Sequence, residues 1–187
     1  MSIEINHREA LGFWLNRIKN RPGHILEMAE IGCAHGGFAK TVLRQWRGER
    51  YWMVDPWAVQ DKEVYKENQP TQEQYDQQFR ECEELSERDT RVRIIRDTST
   101  EAAKQFQTSQ LVCVYIDANH SYRSAMEDMD AWWDKVQPGG IMGGHDFRMK
   151  TDEGWFCEVE EAVKRWAMEH NVPFTVTPCT SWWIIKP

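Results

Sequence analysis

A regular alternation of apolar strands with helical segments limits the possible folds of this chain more than any other feature. Five short apolar stretches, each followed by a helical or charged segment, lie at residues 28–31, 51–54, 92–96, 111–116 and 141–144. Strands that alternate with helices predict an α/β fold with a doubly wound, mostly parallel sheet and helices on both faces. The stretch at 111–116 is nearly all apolar, which is typical of a strand buried on both faces.

The remaining segments complete one predicted domain over residues 1–187. Residues 6–19 are predicted as an amphipathic helix with Asn6 as N-cap and Glu9 three residues later, within a helical extension over 1–26. Further helices are predicted from residue 38, over 72–87, over 99–106, from Ser121 to the break at 138–140, and over 155–169. The apolar stripe of the helix from Ser121 ends with Val136. Two strands are predicted over 174–185, and the aperiodic segment 57–70 is predicted to be a lid-like insertion.

The composition argues against several classes of protein. The formal net charge is -7, which disfavours a diffuse electrostatic interaction with nucleic acid. The five cysteines are odd in number and none has C-x-x-C spacing, so we expect reduced thiols and a cytoplasmic location instead of disulfides or a zinc cluster. Because no apolar run is long enough for a signal peptide or a membrane span, we expect no membrane association.

Glycines and ionisable residues follow the predicted strands, at the edge of a parallel sheet where ligands bind. They are the glycine turn 32–37, Asp55, Asp97, Asp117 and the pair His145-Asp146. The carboxyl ends of parallel strands share one edge, so these five loops are predicted to converge on a single crevice near the switch in strand order.

The glycine turn discriminates between kinds of cofactor. It has the form G-x-x-x-G-G soon after Glu30, and it lacks the G-x-G-x-x-G spacing that cradles a dinucleotide pyrophosphate. An acid beside the turn repels a pyrophosphate but attracts the ammonium of an amino-acid tail. A tight strand-to-helix turn without a ligand is the alternative interpretation of the same residues.

Two further strand ends are candidates for contacts with a nucleoside. Asp55 stands about where an acid accepts hydrogen bonds from ribose hydroxyls. Pro56 and Trp57, which follow it, are predicted to form an apolar wall against a purine. Asp97 is predicted either to accept a hydrogen bond from an adenine amino group or to cap the helix that follows.

These motifs resemble the class I S-adenosylmethionine-dependent methyltransferases, and specifically a bacterial-type group of small-molecule O-methyltransferases. The resemblance spans residues 28 to about 166 and rests on EIGCAHGG, VDPW, YIDANHSY, PGG and GGHDF. It implies S-adenosylmethionine as cofactor and a seven-stranded sheet whose last strand is antiparallel. By matching positions, it implies that Glu30, Gly32 and Gly36 contact the methionine part, Asp55 the ribose, and Asp97 with Thr98 the adenine. The other predicted cofactor-binding residues are Cys33, Pro56, Trp57 and Asp117.

Four ionisable residues on two neighbouring loops are candidates for methyl-transfer chemistry. Transfer from a sulfonium is an in-line displacement, so the enzyme must orient the nucleophile and remove its proton. In one interpretation His120 or His145 is the general base, and an aspartate such as Asp117 orients it. In the other, Asp117 and Asp146 bind Mg²⁺, as acids at equivalent strand ends do in the similar catechol-type O-methyltransferases. Those enzymes carry an asparagine after the second acid, where this sequence has Phe147, so one expected ligand is missing.

The acceptor is predicted to be a small hydroxylated molecule such as a sugar or a phenol. Four polar or ring-bearing residues in the loops 57–70 and 148–155 suit such an acceptor: Tyr65, Arg148, Lys150 and Trp155. Two other classes stay open at this point, an NAD-dependent oxidoreductase on a similar fold and a non-catalytic module that retains the crevice. Methylation of nitrogen or of a macromolecule is a third alternative.

The pair Trp182-Trp183 bears on assembly. Successive side chains of a strand point to opposite faces, so one ring is expected in the core and the other on an exposed face. An exposed ring of this kind predicts a homodimer.

Overall fold

Seven strands form one sheet in the computed structural model, which describes residues 7–19, 23–63, 65, 68–148 and 157–187. The strands are β1 Glu27–Ile31, β2 Arg50–Val54, β3 Val92–Ile95, β4 Leu111–Ile116, β5 Val136–Gly144, β6 Thr175–Val176 and β7 Trp182–Ile185. Their order is β3-β2-β1-β4-β5-β7-β6. Neighbours from β3 to β5 are parallel, whereas β7 runs antiparallel to β5 and β6. The predicted doubly wound sheet with an antiparallel last strand is confirmed.

Helices cover both faces of this sheet. They are α1 Leu11–Leu15, α2 Gly37–Leu43, α3 Gln72–Arg88, α4 Ser99–Ala103, α5 Tyr122–Trp133 and α6 Val159–Glu169, with a 3₁₀ helix at Arg8–Ala10 before α1. One buried cluster contains side chains of α1, α2 and α3, and the other contains those of α4, α5 and α6. Within the described part of the chain, no helix is both long and apolar enough to cross a membrane.

The central strand β4 shows why the sheet has two apolar faces. All six of its residues are buried. Val114 and Ile116 belong to the core on the side of α5, whereas Tyr115 between them belongs to the core on the side of α2. This alternation follows from the two-residue period of a strand, and it matches the expectation for residues 111–116.

The strand order reverses between β1 and β4, and the two strand ends are tied together there. Asp117, just after β4, donates its backbone N–H to the Ile31 carbonyl at the end of β1 at 2.8 Å. The loops after β1 and β4 leave this point toward opposite faces. A crevice therefore opens between them, as expected for a doubly wound sheet.

Two predicted helices differ from those observed. The helix from Ser121 ends at Trp133, and Val136 begins β5, where it pairs with Leu111 of β4. The prediction that Val136 lies on the helix was wrong because strand pairing with a distant segment outweighed a local helical period. The predicted helix over 99–106 ends at Ala103.

The N-terminal segment also departs from the predicted single helix over 6–19. The 3₁₀ helix and α1 end at Leu15, and His7 caps the 3₁₀ helix by accepting the Glu9 N–H. The predicted cap Asn6 lies outside the described residues, as do residues 155 and 156 of the predicted last helix. The described residues of the segment 57–70 form neither helix nor strand, and its role as a lid stays a prediction.

Both rings of the pair Trp182-Trp183 are buried. Trp182 packs in the core beside α5 and α6, and Trp183 packs in the core beside α1 and α2. The expectation of one exposed ring was wrong, because both faces of β7 are covered by helices. A homodimer stays a prediction without support from this pair.

Candidate active site

A cleft of about 390 Å³ opens at the carboxyl ends of β1, β2 and β4. Five of the predicted site residues line it: Gly32, Asp55, Pro56, Thr98 and Asp117. Described residues of the segment 57–70 complete one wall: Ala58, Gln60, Tyr65 and Pro70. Its volume lies within the range of about 300–1,000 Å³ that is typical of small-molecule sites.

Gly32 lies where the loops after β1 and β4 pass each other. Its φ is +84°, and a Cβ at this position would stand 2.1 Å from the Asp117 carbonyl oxygen. Both the backbone angle and the contact therefore require glycine. The close approach keeps the floor of the cleft formed by backbone atoms.

Asp55 shapes the glycine turn as well as the cleft wall. Its Oδ2 accepts hydrogen bonds from the N–H groups of Cys33 at 3.0 Å and Ala34 at 3.1 Å, and its Oδ1 accepts the Trp57 N–H at 2.7 Å. Burial raises the pKa of Asp55, and the three N–H groups oppose that rise. Removing the carboxylate is expected to loosen the turn and the strand end together.

Two predicted nucleoside contacts are corrected by the structure. Trp57 is fully buried, with its indole N–H donated to the Ala34 carbonyl at 2.7 Å, so Pro56 alone of the pair lines the cleft. Trp57 turns inward because its φ is +41°. Asp97 does not line the cleft either. Its Oδ1 accepts the Thr98 N–H at 2.8 Å, and Thr98 is the N-cap residue of α4.

Glu30 is held inside the fold. It is 2% exposed, and the Tyr51 hydroxyl donates a 2.7 Å hydrogen bond to its Oε2. Burial raises the pKa of Glu30 to about 8. The predicted anion beside the glycine turn is therefore mostly a neutral acid at pH 7. Cys33 is also buried, and Gly36, with φ +74°, is the N-cap of α2.

Asp128 on α5 lines the cleft, although the sequence did not single it out. Its side chain is buried and hydrogen-bonded to Ser99, and the Ser99 hydroxyl also accepts the indole N–H of Trp132 at 2.9 Å. Burial raises the pKa of Asp128 to about 7. The sequence feature that could have identified Asp128 is its position as a charged residue within the apolar stripe that contains Met129 and Trp132.

A carboxylate shared by two imidazoles follows β5. The Nε2 of His120 lies 2.7 Å from Asp146 Oδ2, and the Nδ1 of His145 lies 2.8 Å from Asp146 Oδ1. Burial by itself raises the pKa of Asp146, but the neighbouring imidazoles of His120 and His145 hold it well below its usual range. Asp146 adopts a φ of +61°, which directs both of its oxygens at the rings.

The two histidines are not equivalent. The Nε2 of His145 lies 3.2 Å from the Thr180 hydroxyl, so both of its ring nitrogens contact protein groups. Burial lowers the pKa of His145, while the hydrogen bond and charge of Asp146 raise it, with a net rise. The geometry therefore suits His145 to positioning Asp146, and His120, whose Nε2 lies 3.9 Å from Asp117, stays a candidate base.

Asp117 lines the cleft and also lies close to the pair formed by His120 and Asp146, which is called the dyad below. Its Oδ1 lies 3.9 Å from His120 Nε2, and its Oδ2 accepts a 3.2 Å hydrogen bond from the Nη1 of Arg8. Arg8, in the N-terminal 3₁₀ helix, was not predicted as a site residue. No sequence signal points to it, because it lies 109 residues from its partner.

The ligand atoms expected for a metal are close together but already engaged. Donor atoms of Asp117, His120 and Asp146 lie within 4.8 Å of one another. Two carboxylates and an imidazole are chemically suitable for a divalent cation. However, Asp146 binds two imidazoles and Asp117 binds a guanidinium. Phe147, which stands where the catechol-type enzymes have asparagine, is a buried core residue.

Comparison with known proteins identifies the family. Residues 29–147 match the family model described as a methyltransferase domain. No curated protein sequence matches the chain.

Solved structures share its fold at low sequence identity. A protein from Corynebacterium glutamicum is 16% identical with a TM-score of 0.62, and the alignment covers 95% of this chain and 79% of the Corynebacterium chain. The O-methyltransferase NovP is 18% identical with a TM-score of 0.58, covering 86% and 71%. The N-methyltransferase NodS from Bradyrhizobium japonicum is 14% identical with a TM-score of 0.59, covering 96% and 94%. At these identities the likeness shows the fold alone.

Proposed function

Because the chain belongs to the methyltransferase domain family, whose members are class I S-adenosylmethionine-dependent enzymes, we propose that it methylates an oxygen of a small hydroxylated acceptor. The supporting observation is the dyad of His120 and Asp146, which lies beside Asp117 on the rim of the cleft. A base that is oriented by a buried carboxylate is what removal of a hydroxyl proton requires. The family excludes the oxidoreductase alternative.

In this proposal the cleft holds S-adenosylmethionine along its length. Gly32 and the turn after it approach the methionine part, and Asp55 faces the ribose hydroxyls. The adenine lies toward Thr98 and Ser99, where Asp128 is the buried carboxyl that lines the cleft. Asp128 then takes the role that the resemblance assigned to Asp97, because Asp128 lines the cavity and Asp97 does not.

The proposed reaction uses the dyad as a proton acceptor. The acceptor hydroxyl gives its proton to the His120 ring, whose Nε2 lies 2.7 Å from Asp146 Oδ2. The oxygen then attacks the methyl carbon in line with the C–S bond. That bond breaks with its electron pair on sulfur, which leaves a neutral thioether. Asp146 stabilises the imidazolium that forms, and His145 keeps Asp146 in place.

A divalent metal remains part of the proposal only as an alternative for the same residues. If a cation such as Mg²⁺ binds, Asp117, His120 and Asp146 would hold it, and it would lower the pKa of the acceptor hydroxyl. Those side chains would first have to give up the contacts with Arg8 and with the two imidazoles. The residues therefore do not fit a resident metal as they stand.

A groove of about 350 Å³ beside the dyad is the candidate acceptor site. It is lined by Asp146, Arg148, Cys157 and Glu158, among others. Its volume suits one or two rings, in agreement with a sugar or a phenol. Lys150 and Trp155, also predicted to face the acceptor, lie outside the described residues.

The five cysteines are free thiols, which supports the proposal of a reducing, cytoplasmic compartment. The absence of nucleic-acid and membrane partners stays a prediction.

Transfer of a labelled methyl group from S-adenosylmethionine to a panel of acceptors tests the proposal. The panel contains monosaccharides, catechols, primary amines and structured RNA. We expect labelled methyl ethers from a hydroxylated acceptor, and we expect His120→Gln to lower kcat at least about 100-fold with little change in cofactor affinity. His170→Gln, at the distant end of α6, is the matched control. Labelled amines or RNA would refute O-methylation, and no transfer to any acceptor would favour a non-catalytic module.

A further inference from the structure

Arg8 brings a fixed positive charge into the proposed catalytic centre from the N-terminal segment. Its guanidinium donates to Asp117 Oδ2 at 3.2 Å, and the nearby Tyr115 side chain contributes to raising the pKa of Arg8. The side chain is 34% exposed and lies 5.7 Å over the Phe38 ring. The ion pair with Asp117 and the contact with the Phe38 ring place the guanidinium beside the proposed catalytic centre.

The charges around Arg8 explain why its position matters. Asp117 lies beside the dyad, and Asp146 is part of it. Burial lowers the pKa of Arg8, but Tyr115, Asp117 and Asp146 raise it, with a net rise. A divalent cation bound to Asp117 would stand next to the guanidinium, and like charges at such distances repel strongly. Arg8 and a metal ion therefore compete for the same carboxylate.

We propose that Arg8 is the built-in cation of this site, and that it takes the place beside Asp117 that a divalent metal would otherwise occupy. The proposal rests on the proposed O-methyl transfer. It assigns Arg8 as a positioning residue that holds the Asp117 carboxylate in place, and it predicts that transfer requires no metal.

In this proposal the guanidinium stabilises negative charge on the acceptor oxygen, but it takes no part in making or breaking bonds. The acceptor oxygen gains negative character as its proton moves to His120, and a fixed cation nearby stabilises that charge as a metal does. The electron pair of the oxygen forms the new C–O bond, and the pair of the broken C–S bond stays on sulfur. Arg8 gives and takes no proton in this sequence, because its pKa is raised above its already high ordinary value.

Binding of Mn²⁺, followed by electron paramagnetic resonance, tests the competition directly. We expect the wild type to bind Mn²⁺ weakly, and Arg8→Ala to bind it at least about tenfold more tightly because a neighbouring like charge is removed. Arg17→Ala is the matched control, since Arg17 lies in the same segment but stacks on Trp14 instead of reaching the site. Equal Mn²⁺ affinity in wild type and Arg8→Ala would overturn the proposal.

Activity after chelation is the second test, and it needs no variant. We expect the chelated wild type to keep full activity, Arg8→Ala to lose about 100-fold, and Arg8→Lys to keep most of it. Added guanidinium or Mn²⁺ should restore part of the activity of Arg8→Ala. A wild type that is inactivated by chelation and reactivated by Mg²⁺ would overturn the proposal.

The two proposals fail in different ways. If the wild type transfers no methyl group to oxygen, the proposed function fails, whereas the Mn²⁺ titration still reports on Arg8. If transfer occurs but depends on a metal, only the inference about Arg8 fails. If circular dichroism shows that Arg8→Ala does not fold, two measurements still test the inference about Arg8. They are the Mn²⁺ titration of Arg8→Lys and the activity of the chelated wild type.

Discussion

Replacing Glu30 by glutamine is expected to remove a large part of the pH dependence of stability. Glu30 has a pKa of about 8 in the fold, against an ordinary value of 4.5, because it is buried. Between these two values the folded state binds more protons than the unfolded state. The free energy of unfolding therefore falls as the pH rises from 4.5 to 8, and it stays low above that range.

The size of the effect follows from the two pKa values. Each pH unit is worth about 1.4 kcal/mol, so ionising Glu30 costs the folded state up to about 5 kcal/mol. Glutamine has nearly the same shape, and its amide oxygen can still accept the Tyr51 hydroxyl hydrogen. We therefore expect Glu30→Gln to equal the wild type near pH 5 and to be about 3–5 kcal/mol more stable at pH 9.

Urea unfolding followed by circular dichroism at pH 5, 7 and 9 measures this difference. Glu83→Gln, an exposed position on α3, is the matched control and should change nothing across this range. A difference between Glu30→Gln and wild type that stays constant with pH would refute the reasoning. The same variant should keep its affinity for S-adenosylhomocysteine at pH 7 within a few fold. A large loss would mean that Glu30 acts as an anion when the cofactor is bound.

Three further substitutions test the cleft, and a fourth, Gly139→Ala, is a control for the first of them. Gly32→Ala should destabilise the fold by more than about 2 kcal/mol, since its Cβ would meet the Asp117 carbonyl. Gly139→Ala has a φ of +75° but no atom within 4 Å of its Cβ. It should therefore be destabilised only by the backbone strain of about 1–2 kcal/mol, and thermal unfolding of both glycine variants measures the difference. Asp55→Asn should lower stability by about 1–3 kcal/mol and weaken S-adenosylhomocysteine binding in calorimetry, and unchanged binding would contradict its role. Asp128→Asn should weaken S-adenosylhomocysteine about tenfold but barely affect S-inosylhomocysteine, and an equal loss for both would show that Asp128 does not read the adenine amino group.

The convergence of strand ends could be predicted because it depends on short-range patterns. Apolar runs marked the strands, and glycines or acids marked where each strand ended. Gly32, Asp55 and Asp117 line one cleft because parallel strands must end at the same edge. Only the alternation of strands and helices was needed for that step.

The direction of individual side chains could not be predicted in the same way. Trp57 follows Asp55 directly, yet its positive φ turns the ring into the core. Val136 fits a helical stripe, but pairing with Leu111 draws it into β5. In both cases a contact between distant segments decides the outcome, and a local pattern carries no information about it.

The charge pattern of the site limits which residues can drive methyl transfer. The sulfonium loses its positive charge in the reaction, so carboxylates such as Asp117 and Asp146 would favour the ground state over the transition state if they stood alone. Asp146 lies against two imidazoles, and Asp117 is paired with the guanidinium of Arg8. In the proposed mechanism, the base strength of His120 and the charge of Arg8 therefore set the rate. It follows that Arg8→Lys, which keeps the charge, should reduce kcat much less than Arg8→Met, which keeps the length but removes it.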